Sequence, residues 1–107
     1  MDEITLKGTV YRGGQGSNAK KVVFIDPADH SRMKVWWMEN HIDTKLGFFP
    51  HPVTKRPCPQ ISAETIAQNM PDGQDVLITI VTKLRKRAGL PHMGIKTLAI
   101  VLDRGTF

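Results

Sequence analysis

Two apolar runs that alternate with a period of two, residues 76–81 (VLITIV) and 95–102 (IKTLAIVL), constrain the fold of this chain more than any other feature. Alternation of this kind sends successive side chains to opposite faces of an extended strand. The runs enclose residues 82–90 (TKLRKRAGL), in which Lys83, Arg85, Lys86 and Arg87 place four cations within five positions. Two readings of that stretch are open. A cationic loop held between two strands of one sheet can grip phosphates, and a solvated turn can keep two sticky strands soluble.

The same periodicity marks the start of the chain. Over residues 3–12, Ile4, Leu6, Gly8 and Val10 alternate with Thr5, Lys7, Thr9 and Tyr11, which predicts a half-buried strand with Lys7 and Tyr11 on its outer face. A glycine inside a strand marks a bulge or tight bend, so Gly8 is expected at one. Residues 12–18 (RGGQGSN) read as a hairpin loop, because no Gly-Lys-Ser/Thr follows to make a phosphate cradle. Residues 20–25 (KKVVFI) are β-branched and aromatic, hence a second strand that carries Lys20 and Lys21. Residues 26–31 form a turn cluster, and residues 32–38 (RMKVWWM) alternate again, predicting a third strand with Lys34 and Trp36 on one face and Trp37 on the other.

Residues 40–60 hold Pro50, Pro52, Pro57 and Pro59 together with Phe48, Phe49, Lys45, Lys55 and Arg56. That many prolines exclude a regular helix or a central strand, so the segment is expected to be a long loop, suited by its aromatics and cations to form a flap over a single strand. Residues 62–70 predict a short helix, with Ser62 as N-cap, Glu64 in the first turn and Pro71 as terminator. A fourth and a fifth strand then flank the cationic stretch, and residues 103–107 are expected to form a mobile tail.

At 107 residues the chain is expected to be one domain spanning 1–107. Its formal charge of +5 and pI near 9.7 favour acidic partners, of which nucleic acid is the commonest. Cys58 is the sole cysteine, which rules out an internal disulfide and favours a reducing compartment. With no signal-like opening and no apolar run of about 20 residues, a soluble cytoplasmic protein is expected.

Metal and catalytic chemistry find little support. His30, His41, His51, His92 and Cys58 show neither Cys-x-x-Cys nor His-x-x-x-His spacing, so no metal site is expected. Nothing places Cys58 at a helix N-terminus or beside a fixed base, and the few carboxylates lie mostly in turns. No cofactor motif is present, and a non-enzymatic protein is expected. Helix-turn-helix and zinc-finger patterns are missing, whereas strands with interleaved cations and aromatics are the ingredients for holding a single strand.

The resulting order of three strands, a short helix and two strands resembles that of an oligonucleotide-binding (OB) barrel over residues 3–102. The parallels are the glycine of the first strand, the helix at 62–70, the turn Pro71-Asp72-Gly73 and the basic stretch between the last two strands. The resemblance implies a mainly β, five-stranded barrel with one short helix between strands 3 and 4. It further implies a ligand on the second and third strands and on the loops joining the first to the second and the fourth to the fifth. Carried over, this assigns Lys20, Lys21, Lys34, Trp36 and Trp37 from strands and Arg12, Lys83, Arg85, Lys86 and Arg87 from loops, with Lys7 and Tyr11 beside them.

The function expected from this reading is non-catalytic binding of single-stranded DNA, with RNA second, by a replication or recombination accessory of phage or plasmid type. Two other readings stand beside it. One is a small protein-binding or inhibitor module docking through a sheet edge and the Phe48-Phe49 loop. The other, a homodimer formed through an exposed strand, is compatible with both.

Overall fold

A computed structural model describes residues 2–13, 20–63 and 65–104 of the chain. Six strands, β1 (Glu3–Arg12), β2 (Lys21–Ile25), β3 (Phe48–Pro50), β4 (Pro57–Ser62), β5 (Gln74–Arg87) and β6 (Leu90–Leu102), form one antiparallel sheet in the order β3-β4-β2-β1-β5-β6. Among the described residues one α-helix, α1 (His30–Glu39), follows a 3₁₀ turn at Pro27–Asp29. The fold is mainly β, as the periodicity predicts, but the sheet is not closed into the expected five-stranded barrel.

Alternation sorts β1 as its sequence predicts: Ile4, Leu6, Gly8 and Val10 are buried, and Thr5 and Lys7 are exposed. The inward face continues through Val23 and Ile25 of β2, Ile61 of β4, Val76, Ile78 and Ile80 of β5, and Ile100 of β6. Met33 and Trp36 of α1, with Ala63 and Ala67, complete this core. Each large aliphatic side chain withdrawn from water here contributes about 1.5–3 kcal/mol.

The sheet curls strongly. Strands β4 and β6 are four steps apart in the order, about 19 Å at the usual strand spacing. Yet the Thr97 hydroxyl donates to the Ser62 carbonyl at 3.2 Å, so the two ends of the sheet approach each other. Among the described residues no backbone ladder joins them, and the curl leaves an open seam. Gly8 permits the tight approach of β1 and β2: a Cβ there would lie 2.4 Å from Val23 Cγ1 and 2.8 Å from the Phe24 carbonyl oxygen. No register shift occurs at Gly8, so its role is close packing and not the expected bulge; the sheet's irregularity lies between Thr79 and Ile80.

Four local expectations need correction. Residues 32–38 are helical and not a strand. Met33, Val35 and Trp37 fit a period of two while Met33, Trp36 and Trp37 fit an i, i+3, i+4 pattern, an ambiguity inherent to short apolar runs. The preceding Asp26-Pro27 decides it: Asp26 Oδ1 accepts from the Ala28 N–H at 2.9 Å and Pro27 opens the first turn, a start signal instead of a mere turn. Residues 62–70 form no helix. Ser62 ends β4 and residues 65–69 are turns, while Glu64 lies outside the described residues. The Pro-rich segment is not one loop, because β3 and β4 pair within it as Phe48↔Pro59, Phe49↔Cys58 and Pro50↔Pro57, at the sheet edge where missing N–H donors are tolerated. Finally, Lys83, Arg85, Lys86 and Arg87 belong to strand β5, and the turn is confined to Ala88 and Gly89.

The expected glycine loop falls largely on residues 14–19, outside the described residues. Of the expected tail, the Asp103 N–H donates to the Asp75 carbonyl at 3.0 Å, and residues 105–107 lie outside the described set.

Two substitutions test this account. Gly8→Ala is expected to destabilise the fold by about 1–3 kcal/mol, measured by urea denaturation, since backbone must shift to admit a methyl group. In the β5–β6 turn both central residues have positive φ, 52° at Ala88 and 80° at Gly89, a geometry that favours Asn-Gly. Ala88→Asn is expected to stabilise by about 0.5–1 kcal/mol in the same assay.

Candidate nucleic-acid interface

Strand β1 ends where Glu3 pairs with Val81, and Asp2 accepts the Thr82 N–H at 2.9 Å. Beyond that point β5 has only β6 as a strand partner, so Lys83–Arg87 and their cross-strand partners form a two-stranded ribbon leaving the sheet. All of residues 83–90 are exposed. The Arg85 guanidinium donates to the Ile95 carbonyl at 2.9 Å and lies over Gly94, where a Cβ would meet Arg85 Nε at 3.0 Å. Among the described residues, Lys83, Lys86 and Arg87 have no carboxylate partner.

The ribbon is fastened to the loop after α1. Asp43 N–H donates to the Met93 carbonyl at 2.9 Å, and its carboxylate contacts His92 Nδ1 at 2.9 Å and accepts from the Met93 N–H at 3.3 Å. This anchorage shapes the open seam into a groove of about 930 Å³. Arg85, Lys86, Arg87 and His92 line one wall, Phe49, Gln60 and Ser62 the other, and Trp37, Lys45 and Leu46 the end near α1. Trp37 is half-buried, with its indole N–H donating to the Thr44 carbonyl at 2.7 Å, and Phe49 is 44% exposed. Guanidinium and ammonium groups facing aromatic rings across a channel can hold phosphates and stack bases.

Of the residues expected to form a site, Trp37, Arg85, Lys86 and Arg87 line this groove together, while Lys83 lies on the ribbon outside it. Trp36 is 6% exposed in the core, with no hydrogen-bond partner for its indole nitrogen among the described residues, and so offers no stacking face. Lys34 lies on the solvent side of α1 with its ammonium 5.1 Å from the Phe48 ring centroid. Lys21 is turned inward: its ammonium donates to the Met70 carbonyl and lies 3.9 Å from Asp72. Tyr11 packs edge-on against Phe24 and His51. Lys7 is exposed on the outer face of β1, with its N–H bonded to Asp29 at 2.8 Å. Arg12 and Lys20 flank the residues outside the described set, and neither lines the groove.

Lys45, Phe49, Gln60 and His92 are groove residues that the site carried over from the OB resemblance does not include. The signal for two of them is visible in the Pro-rich segment, where cations and aromatics alternate with prolines. Gln60 and His92 carry no such mark, because only the curl brings β4 opposite β6.

The histidines and Cys58 are dispersed, and among the described residues no three potential ligands gather. Cys58 is nevertheless close to His30, with Sγ 3.6 Å from Nε2. Both groups are 2.8–2.9 Å from the Ile25 carbonyl, which takes their hydrogens and leaves Nε2 without a lone pair for the thiol. Burial pushes the thiol pKa up, outweighing the Ile25 hydrogen bond, and Asp26 raises it further. This thiol is packed and not activated.

Comparison of the chain with protein-family models, with curated proteins and with solved structures finds no match in any of the three.

A raised thiol pKa means that its contribution to stability is complete below the ordinary thiol range and is lost as pH rises through and above it. Cys58 is therefore expected to react with a disulfide reagent at least about tenfold more slowly in the native protein than in denaturant. Thiol titration with Ellman's reagent, followed in time, checks this.

Proposed function

We propose that this protein binds single-stranded nucleic acid, DNA in the first instance, in the seam groove and without catalysis. The observation that carries the reading is the pairing of a cationic wall lacking carboxylate partners, Lys86 and Arg87 with Arg85 beside them, with Trp37 and Phe49 inside one channel. A phosphodiester backbone supplies the missing counter-charge, and unstacked bases supply flat partners for the rings. Each stacked base contributes about 1–3 kcal/mol, and the cations add a salt-dependent term. Five-stranded OB closure is not required for this, since the groove lies where the sheet stays open. A role in replication or recombination is the finer form of the same proposal.

A second reading draws on the exposure of Phe48 and Phe49, 38% and 44%, on the edge strand β3. A protein partner docked there by strand addition covers both rings. The two readings respond differently to charge. Replacing Lys83, Arg85, Lys86 and Arg87 by Glu is expected to abolish binding of oligo-dT while sparing a partner held by the phenylalanines.

Titration of intrinsic tryptophan fluorescence with oligo-dT is expected to quench Trp37. Four phosphate contacts predict a log–log salt slope of about −3. Unchanged emission with no salt-sensitive binding overturns the proposal.

A further inference from the structure

The ribbon has a second set of exposed groups that the groove does not use. Leu90 is 63% exposed and Pro91 is exposed beside it, immediately after the Ala88-Gly89 turn. They pair across the ribbon with Arg87 and Lys86, as Arg87↔Leu90 and Lys86↔Pro91. Neither Leu90 nor Pro91 lines the groove, and neither does Lys83, three pairs further down at Lys83↔Gly94. An apolar tip is thus set directly across from Lys86 and Arg87, two of the three β5 cations that line the groove.

An exposed leucine alone is ordinary on a protein surface; this one is set apart by the cation directly across the ribbon from it. Leucine and proline are side chains that wedge against base steps when cations hold the adjoining phosphates. A two-stranded ribbon also has the width that a duplex major groove admits. The groove itself, at about 930 Å³, has the volume of a pocket for a short ligand segment and does not hold a duplex.

Building on the single-strand reading above, we propose that the preferred ligand is a junction, a single strand emerging from a duplex. The unpaired strand occupies the groove, Leu90 and Pro91 abut the terminal base pair, and Lys83 faces the phosphates of the duplex. The terminal pair is the one place in such a ligand where a flat apolar surface is exposed without unstacking. That makes it the partner an apolar tip meets at least cost. An anionic membrane also suits a basic tip with a leucine, but it leaves the facing aromatics of the groove without a role.

The test uses fluorescence anisotropy at one fixed salt concentration. Four probes are compared: a 12-nucleotide single strand, a blunt hairpin, that hairpin carrying the same 12 nucleotides as an overhang, and vesicles of anionic phospholipid. The overhang hairpin is expected to bind about tenfold more tightly than the single strand through the added apolar and phosphate contacts. Leu90→Ala and Leu90→Ser alter an exposed side chain outside the core, and neither adds a charge across from Arg87. Both are expected to bring the overhang hairpin down to the level of the single strand while single-strand affinity stays within about twofold. Equal binding of overhang hairpin and single strand overturns the junction inference and leaves the single-strand reading standing. So does a blunt hairpin that binds as tightly as the overhang form. Binding to the vesicles alone, or to none of the probes, overturns both.

Discussion

Everything in this fold depends on how tightly β1 and β2 approach at Gly8. The sheet must curl for the apolar faces of five of its six strands, Leu6 and Val10 through Val23, Ile61, Ile78, Ile80 and Ile100, to bury one another with only one short helix to help. Curling brings neighbouring strands close on the concave side, and the missing side chain at Gly8 leaves room for Val23 and the Phe24 carbonyl. The consequence reaches across the molecule, because the same curl carries Thr97 to Ser62 and so sets the width of the seam.

The seam is where packing and function meet. A closed barrel satisfies every strand edge, whereas here the edges of β4 and β6 face each other over a channel that side chains must furnish. Asp43 holds the far wall in place with three contacts to two residues of β6. Its carboxylate belongs to the groove lining and lies against His92 Nδ1 and the Met93 N–H. Among the described residues, Lys86 and Arg87 of β5 line the channel with no carboxylate partner. A groove of this kind is stable empty because water solvates its exposed ammonium and guanidinium groups, and it becomes selective through charge once an anion enters.

Much of the core was legible in the linear pattern. Ile4, Leu6, Val10, Val76, Ile78 and Ile80 are buried where a period of two puts them. The helix was not legible as a helix, because the run fits a period of two through Met33, Val35 and Trp37 as well as a helical period through Met33, Trp36 and Trp37, and the Asp26-Pro27 start signal also reads as a turn. Conversely, Ser62 reads as an N-cap, yet only eight residues follow it before Pro71, too few to sustain a helix without packing. Half of the candidate groove was visible as a cationic stretch and a tryptophan. The other half, Phe49, Gln60 and Ser62, becomes a wall only because the curl sets β3 and β4 opposite strands that are distant in the chain.

Sequence alone determined that this protein is mainly β, that one face of β1 and of β5 is core, and that positive charge concentrates between Lys83 and Arg87. Those properties follow from side-chain period and composition, which are local. Tertiary structure decided that these cations belong to a strand and not to a loop, since a two-residue turn at Ala88-Gly89 lets the pairing of β5 and β6 run through them. It also decided which tryptophan is available: Trp36 fills the core and Trp37 faces the groove. Adjacent residues of a helix point about 100° apart, and only the placement of α1 against the curled sheet chooses which one meets the ligand.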